Sequence, residues 1–144
     1  MSRKIVFALG NIWRWDDSKN RANLFKYIKD LDIDGVELTL MKREDVYNFK
    51  ASKEDIDWLR SLDYVSIHAP MLVRKSESEE DMIKQLDILQ IIYKQVNAKN
   101  IIIHPTDLPK KDILKNYDLN ISIENLVPKK KFEIEHLKKI LIDN

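Results

Sequence analysis

The sequence predicts an α/β fold built on a parallel sheet, and two observations lead to this prediction. First, short apolar runs with the length of buried strands alternate along the chain with segments whose apolar residues recur every three or four positions, as in amphipathic helices. Second, three of these runs end in His68, His104 and Glu124, and a proline follows shortly after each histidine. Such alternation requires parallel strands, because each helix returns the chain to the edge where the next strand begins.

Length and composition limit the function classes. The chain has 144 residues, of which 44% are hydrophobic, and this suits a single domain over residues 1–144. The formal net charge of +1 gives no general attraction for nucleic acid or an anionic membrane. The absence of cysteine excludes disulfides, thiolate catalysis and Cys-ligated zinc. No run reaches membrane-spanning length and the first apolar run is too short for a signal peptide, so we expect a cytoplasmic protein without a membrane partner.

Three strands and two helices are predicted in the first half of the chain. They are, in order, the strand 4–9, the helix 18–31, the strand 35–39, the helix 53–62 and the strand 64–68. Gly10 and Asn11 interrupt the pattern after the first strand. Ser52 and Asp55 form the capping-box pattern that begins the second helix.

The second half of the chain continues the same alternation. The predicted elements are the long helix 78–96, the strand 100–104, the short helix 110–116, the strand 120–124 and the helix 133–141. The long helix has its apolar residues on one stripe, which we expect to face the core: Met82, Leu86, Leu89, Ile92, Tyr93 and Val96.

Counted together, these elements form five strand–helix units of about 29 residues each over the 144-residue chain. Eight such units would need roughly 230 residues, which is typical of a closed barrel. We therefore predict a partial barrel, in which the chain supplies about the first five β/α units of a parallel (β/α) TIM-type barrel. An open doubly wound sheet is the alternative, although no glycine-rich phosphate-binding motif supports its nucleotide-binding form. A second copy of the chain or a further C-terminal segment would cover the two edge strands.

Parallel strands place all their carboxyl ends at one rim, so His68, His104 and Glu124 are expected to converge there. Two imidazoles and a carboxylate are ligands that suit zinc, manganese, cobalt or iron better than magnesium. The alternative is that each polar strand end forms a hydrogen bond to a neighbouring loop.

Several segments around these residues resemble the xylose-isomerase-like barrel superfamily. This superfamily includes sugar and sugar-phosphate isomerases and epimerases, and the endonuclease IV type of abasic-site nuclease (AP endonuclease family 2). The similar segments are Asp-Gly-Val-Glu-Leu at 34–38, Ser-Ile-His-Ala-Pro at 66–70, Ile-His-Pro at 103–105, Ile-Glu-Asn at 123–125 and Phe-Glu-Ile-Glu-His-Leu at 132–137. They extend over almost the whole chain and occur in the order of the superfamily.

The resemblance implies roles for individual residues. Glu124 matches a metal-binding glutamate that the isomerases and nucleases share. His68 and His104 match histidine ligands of the nuclease branch, and in many isomerases the histidine of the third strand lines the substrate pocket. The ligands that the superfamily supplies from strands six to eight have no counterpart here, so the chain would contribute half of a site.

The implied function is that of a divalent-metal-dependent sugar or sugar-phosphate isomerase or epimerase. Glu124 and His104 would be its catalytic residues, and zinc or manganese its first-choice metal, with cobalt, iron or magnesium as alternatives. Two other functions stay open: an endonuclease IV-like phosphodiesterase acting on abasic DNA, and a non-catalytic truncated barrel that serves as a binding or assembly module.

Four further residues are predicted to contact the substrate. Glu37 lies inside the second strand, where it faces either the barrel interior or a helix, and its role is either substrate contact or a structural ion pair. Trp13 follows the first strand and could stack on a sugar ring or cover the barrel mouth. Lys110 belongs to a series of basic residues in the rim loops that suits an anionic ligand such as a phosphate, or an ordinary solvated surface. Asn125 directly follows Glu124.

Overall fold

The structure is a computed structural model that describes residues 4–70, 78–104 and 111–124. Within these ranges, five strands form one sheet in the order β1-β2-β3-β4-β5, and every neighbouring pair is parallel. The strands are β1 (Val6–Ala8), β2 (Gly35–Thr39), β3 (Tyr64–His68), β4 (Asn100–Ile103) and β5 (Ile121–Ile123). The predicted helix 133–141 lies outside the described ranges.

The strand order distinguishes the two predicted architectures. In a doubly wound sheet the order reverses near the middle, whereas in a barrel each strand pairs with the next one along the chain. The order observed here is sequential throughout. The predicted α/β fold is confirmed, and the sheet corresponds to an arc of five consecutive barrel strands.

The helices pack against one face of this sheet. They are α1 (Arg43–Tyr47), α2 (Lys53–Ser61) and α3 (Glu79–Gln95), accompanied by the 3-10 helices Leu9–Trp15, Arg21–Tyr27 and Lys111–Asn116. The predicted cap of α2 is confirmed, since the backbone N–H of Asp55 donates to Ser52 Oγ at 3.1 Å. The backbone N–H of Asp81 donates to Ser78 Oγ in the same way at the start of α3.

The prediction for residues 18–31 was wrong in its length and its type. An α-helix was expected, but the segment forms a 3-10 helix over Arg21–Tyr27. The spacing explains this result, because Ala22, Phe25 and Ile28 are three positions apart and therefore share one face of a helix with three residues per turn. These three residues are buried, whereas Leu31, the last of the expected stripe, is 47% exposed.

Other short helices also differ from the prediction. The predicted helix 110–116 is a 3-10 helix over Lys111–Asn116. The break expected at Gly10 lies inside the 3-10 helix Leu9–Trp15, and α1 (Arg43–Tyr47) was not predicted. Elements of five to seven residues contain too few turns to produce a recognisable period.

The core lies between the helices and the apolar face of the sheet. On β2, β3 and β4, alternate residues are apolar and buried: Val36, Leu38, Val65, Ile67, Ile101 and Ile103. The predicted stripe of α3 packs against them with its own buried residues: Met82, Leu86, Leu89, Ile92 and Val96. Since successive strand residues point to opposite faces, the remaining strand residues line the concave face.

Candidate metal centre

The concave face of the sheet is mostly polar. The strand register places two levels of side chains on it, Ala8, Glu37, Ser66 and Asn100 at the first, and Thr39, His68, Ile102 and Ser122 at the second. The interior of a closed TIM barrel is filled mainly by bulky branched apolar side chains, and Ile102 is the one such residue in these two levels. Small and polar side chains cannot fill that space, and a groove of about 460 Å³ lies along the concave face.

His68, His104 and Glu124 meet at the carboxyl-terminal end of this groove. His104 follows Ile102 by two residues and Glu124 follows Ser122 by two residues, so both extend the inner rows of β4 and β5 to the rim. His68 Nε2 lies 2.8 Å from Glu124 Oε2, and the ring centroids of His68 and His104 are 5.0 Å apart. One candidate ligand atom of each side chain lies within 4.8 Å of the other two.

Backbone hydrogen bonds between the strand ends hold the three residues in position. The N–H of Leu40 donates to the carbonyl of His68 at 2.9 Å, and the N–H of Ala69 donates to the carbonyl of Ile102 at 2.9 Å. The N–H of Glu124 donates to the carbonyl of Ile103 at 3.2 Å, one residue before His104. The sheet ladder therefore continues to the residues that carry the three side chains.

The electrostatic environment of His104 favours a neutral imidazole, the form that binds metal ions. Burial lowers the pKa of His104 below its ordinary value, and the nearby His68 lowers it further, while Glu124 acts in the opposite direction. His68 Nδ1 and His104 Nδ1 are both buried and have no hydrogen-bond partner among the described residues. Two buried imidazole nitrogens without partners, beside a half-exposed carboxylate, form a donor set that could hold a divalent metal ion.

Glu37 lies on the same groove as His68 and Glu124. Of the two orientations considered for it, the structure shows the one toward the barrel interior, and no cationic partner faces it in the described ranges. The Thr39 hydroxyl donates to Glu37 Oε1 at 3.2 Å and accepts from the backbone N–H of Gly10 at 3.0 Å. The contact of Glu37 with a substrate stays a prediction.

Trp13 lies apart from this group. Its side chain is 42% exposed and lines a separate cleft of about 640 Å³ beyond the ends of β1 and β2, where the Arg14 guanidinium lies 4.9 Å from the ring centroid. The structure thus does not bring Trp13 together with the three candidate ligands. Lys110 and Asn125, the other predicted substrate contacts, lie outside the described residues.

Two polar arrangements were missed in the sequence. The first is a row of hydrogen bonds on the concave face, in which Tyr64 Oη donates to Asn100 Oδ1 at 2.7 Å and Asn100 Nδ2 donates to Ser122 Oγ at 2.9 Å. The alternation of polar and apolar residues within β3 and β5 was a signal for it. The second is the buried ion pair between Arg21 and Asp45, with 2.8 Å between Nε and Oδ1, for which the sequence offers no signal.

The fold is similar to that of a protein of known structure. No protein-family model and no curated protein matches the sequence. The crystal structure of endonuclease IV from Thermus thermophilus is similar to this chain with a TM-score of 0.57 and 14% sequence identity. The match covers 90% of this chain and 54% of the endonuclease chain, so the chain spans about half the length of that protein.

At this identity the likeness shows the fold alone. It supports the predicted fold, with the parallel β/α sheet of the present chain corresponding to part of a TIM-type barrel. No helix among the described residues is both long and apolar enough to cross a membrane.

Proposed function

We propose that the chain is the metal-binding part of a divalent-metal-dependent isomerase or epimerase that acts on a sugar or sugar phosphate. The observation that carries this proposal is the convergence of His68, His104 and Glu124 at the end of a polar groove. A metal centre beside a groove with hydroxyl, amide and carboxylate groups suits a substrate rich in oxygen atoms.

A bound metal ion would polarise neighbouring substrate oxygens and make the adjacent C–H group more acidic. His68, His104 and Glu124 would hold it, and this set of two imidazoles and one carboxylate makes zinc or manganese the first choice, with cobalt, iron or magnesium as alternatives.

The protein groups themselves have definable tasks. A carboxylate 2.8 Å from His68 Nε2 favours the tautomer with the proton on that nitrogen, so Glu124 stands where it accepts a hydrogen bond from His68 and orients the ring. Burial keeps the His104 imidazole neutral near pH 7, which leaves a lone pair for a metal ion or a substrate hydroxyl. Glu37 and Ser122 would bind substrate hydroxyls further along the groove.

A phosphodiesterase acting on abasic DNA is the second candidate. The fold likeness to an endonuclease IV and the pair of histidines beside a glutamate favour it. The formal net charge of +1 argues against it, because binding to a DNA backbone relies on an excess of basic groups. A non-catalytic barrel segment used for binding or assembly is the third candidate.

Metal binding followed by activity assays tests these candidates. The chain is stripped with a chelator, supplied with zinc or manganese, and examined by elemental analysis and calorimetric titration. We expect one ion per chain for the wild type and for Glu44→Gln, a change in the separate cleft that serves as control. Substoichiometric metal in the wild type would support the non-catalytic reading instead.

The metal-loaded chain is then incubated with a panel of aldoses, ketoses and their phosphates, and separately with a duplex that contains an abasic site. Interconversion of a sugar that Glu124→Gln abolishes would support the isomerase or epimerase. Nicking of the duplex without sugar conversion would support the phosphodiesterase. Absence of both activities in the metal-loaded chain would contradict catalysis by this chain.

A further inference from the structure

A second set of polar groups lies along the groove below the candidate metal centre. We call Glu37, Asn100 and Ser122 the inner floor; all three line the same groove as His68 and Glu124. We propose that the inner floor binds an uncharged polyhydroxy compound, such as an unphosphorylated aldose, ketose or polyol, and that Glu37 determines this preference. This inference rests on the proposed function and narrows its substrate class.

The hydrogen bonds around Asn100 give the inner floor a fixed pattern of donors and acceptors. Tyr64 Oη donates to Asn100 Oδ1, which defines the orientation of the amide, and Asn100 Nδ2 then donates to Ser122 Oγ. Ser122 Oγ uses a lone pair to accept this bond and keeps its own proton for another acceptor. The inner floor therefore presents a hydroxyl donor whose oxygen is already held in place, so little side-chain freedom is lost on binding.

Glu37 supplies the acceptor of the inner floor. The Thr39 hydroxyl accepts from the Gly10 N–H, so its proton is free to donate to Glu37 Oε1. Among the described residues, this bond from Thr39 is the hydrogen bond that the structure shows to the Glu37 carboxylate. A carboxylate offers about four lone-pair sites, which leaves most of them for ligand hydroxyl groups. Hydrogen bonds from hydroxyls to a charged carboxylate are stronger than those between neutral groups.

The charges along the groove disfavour an anionic ligand. Its described lining contains two carboxylates, Glu37 and Glu124, and neither lysine nor arginine. A phosphate group placed at the inner floor carries about two negative charges and would be repelled by the half-buried Glu37 carboxylate, for which the described residues show no cationic partner. The nearby basic side chains Arg14, Lys19 and Lys42 line the separate cleft instead.

The shape of the groove also fits such a compound. Its volume of about 460 Å³ lies within the usual range of small-molecule sites. Ile102 and Ala8 add an apolar patch to the lining, against which the C–H face of a sugar or polyol can pack. A polar floor beside an apolar wall matches the two faces of a polyhydroxy molecule.

Binding measurements with the zinc-loaded chain test the inference. Xylose, fructose and xylitol serve as uncharged probes, and fructose 6-phosphate and xylulose 5-phosphate as anionic ones, with affinity taken from calorimetry and from NMR shifts of backbone amides. We expect the uncharged probes to bind at least about tenfold more tightly than the phosphates. Glu37→Gln should weaken the uncharged probes by about tenfold and reduce their advantage over the phosphates.

Glu44→Gln, in the separate cleft, is the matched control and should change neither class of probe. Ser122→Ala provides a second variant of the inner floor should Glu37→Gln impair folding. Circular dichroism checks that both variants are folded, and metal titration checks that they still bind the ion. Equal or tighter binding of the phosphates, or an unchanged preference in correctly folded Glu37→Gln, would overturn the inference while the proposed function stands. If the chain binds metal but neither class of probe, the proposed function fails together with the inference.

Discussion

His68 Nε2 lies 2.8 Å from Glu124 Oε2, although the two residues are 56 positions apart in the chain. Their strands are not neighbours, because β4 lies between β3 and β5. The contact therefore extends over the intervening strand, where His104 ends the same inner row, and brings the three side chains to one place. This relationship connects the fold to the proposed chemistry, and the first prediction depends on it.

Replacing Glu124 by glutamine should weaken metal binding. The substitution keeps the size of the side chain but removes the charged ligand, and loss of a direct ligand should cost at least as much as the roughly 10–100-fold loss seen for outer hydrogen-bond partners. Calorimetric titration with zinc measures the change, and Glu44→Gln is the control. Unchanged affinity in Glu124→Gln would exclude this carboxylate as a ligand.

The metal-free protein should lose stability in mild acid because of His104. Burial lowers the pKa of His104 in the folded chain, while in the unfolded chain it returns to about 6.5. Below pH 6.5 the unfolded state therefore binds more protons than the folded state, and the free energy of unfolding falls as pH falls. Urea denaturation at pH 5.5 and 7.5 in the presence of a chelator measures the difference.

His104→Gln cannot take up this proton, so its free energy of unfolding should depend less on pH over the same interval. An equal pH dependence in the wild type and in His104→Gln would show that other groups cause the acid sensitivity.

The buried ion pair between Arg21 and Asp45 should be costly to break. The Nε–Oδ1 distance is 2.8 Å, both side chains are almost fully buried, and Asp45 also accepts a hydrogen bond from the backbone N–H of Lys42. Asp45→Asn leaves the buried guanidinium without a charged partner, although it still donates to the carbonyl of Trp13, and should lower the free energy of unfolding by about 3–5 kcal/mol. Urea denaturation tests this value.

The exposed pair of Lys53 and Asp57 on α2 provides the control for this experiment. Its two charges are 3.5 Å apart in solvent, so Lys53→Met should change the free energy of unfolding by about 0.5 kcal/mol or less. A loss of similar size in Asp45→Asn and Lys53→Met would contradict the structural role of the buried pair.

Gly35 should not tolerate alanine. A Cβ atom at this position would collide with the backbone carbonyl oxygen of Tyr64 on the neighbouring strand, and backbone cannot move aside without disturbing the pairing of β2 with β3. Gly35→Ala should therefore lower the free energy of unfolding by about 2 kcal/mol or more. Thermal and urea denaturation measure the change.

Gly10→Ala is the matched control. Its Cβ would lie 3.0 Å from Cγ2 of Thr39, a side-chain atom that can shift by a few tenths of an ångström. We expect a smaller loss of stability than for Gly35→Ala, and the reverse order would contradict the strand contact at Gly35.

Much of the fold could be predicted from local patterns. The strands β2 and β3 begin and end where the sequence predicts, and α2 and α3 differ from their predicted ranges by a single residue at one or both ends. The apolar residues of these elements recur with a clear strand or helix period, and Ser52 and Ser78 cap the two helices. Local preference and burial therefore favour the same structure. The stretch 18–31 was misjudged because apolar residues at three-residue spacing fit both a ragged α-helix and a short 3-10 helix.

The residue types of the candidate site were also visible in the sequence, because His68, His104 and Glu124 each end a strand pattern. Their distances, the burial that lowers the pKa of His104, and the pairing of Asn100 with Tyr64 and Ser122 were decided by the tertiary structure alone. The reason is physical: a sequence specifies which face a strand residue occupies, but strand order and register determine which residues from distant segments share that face.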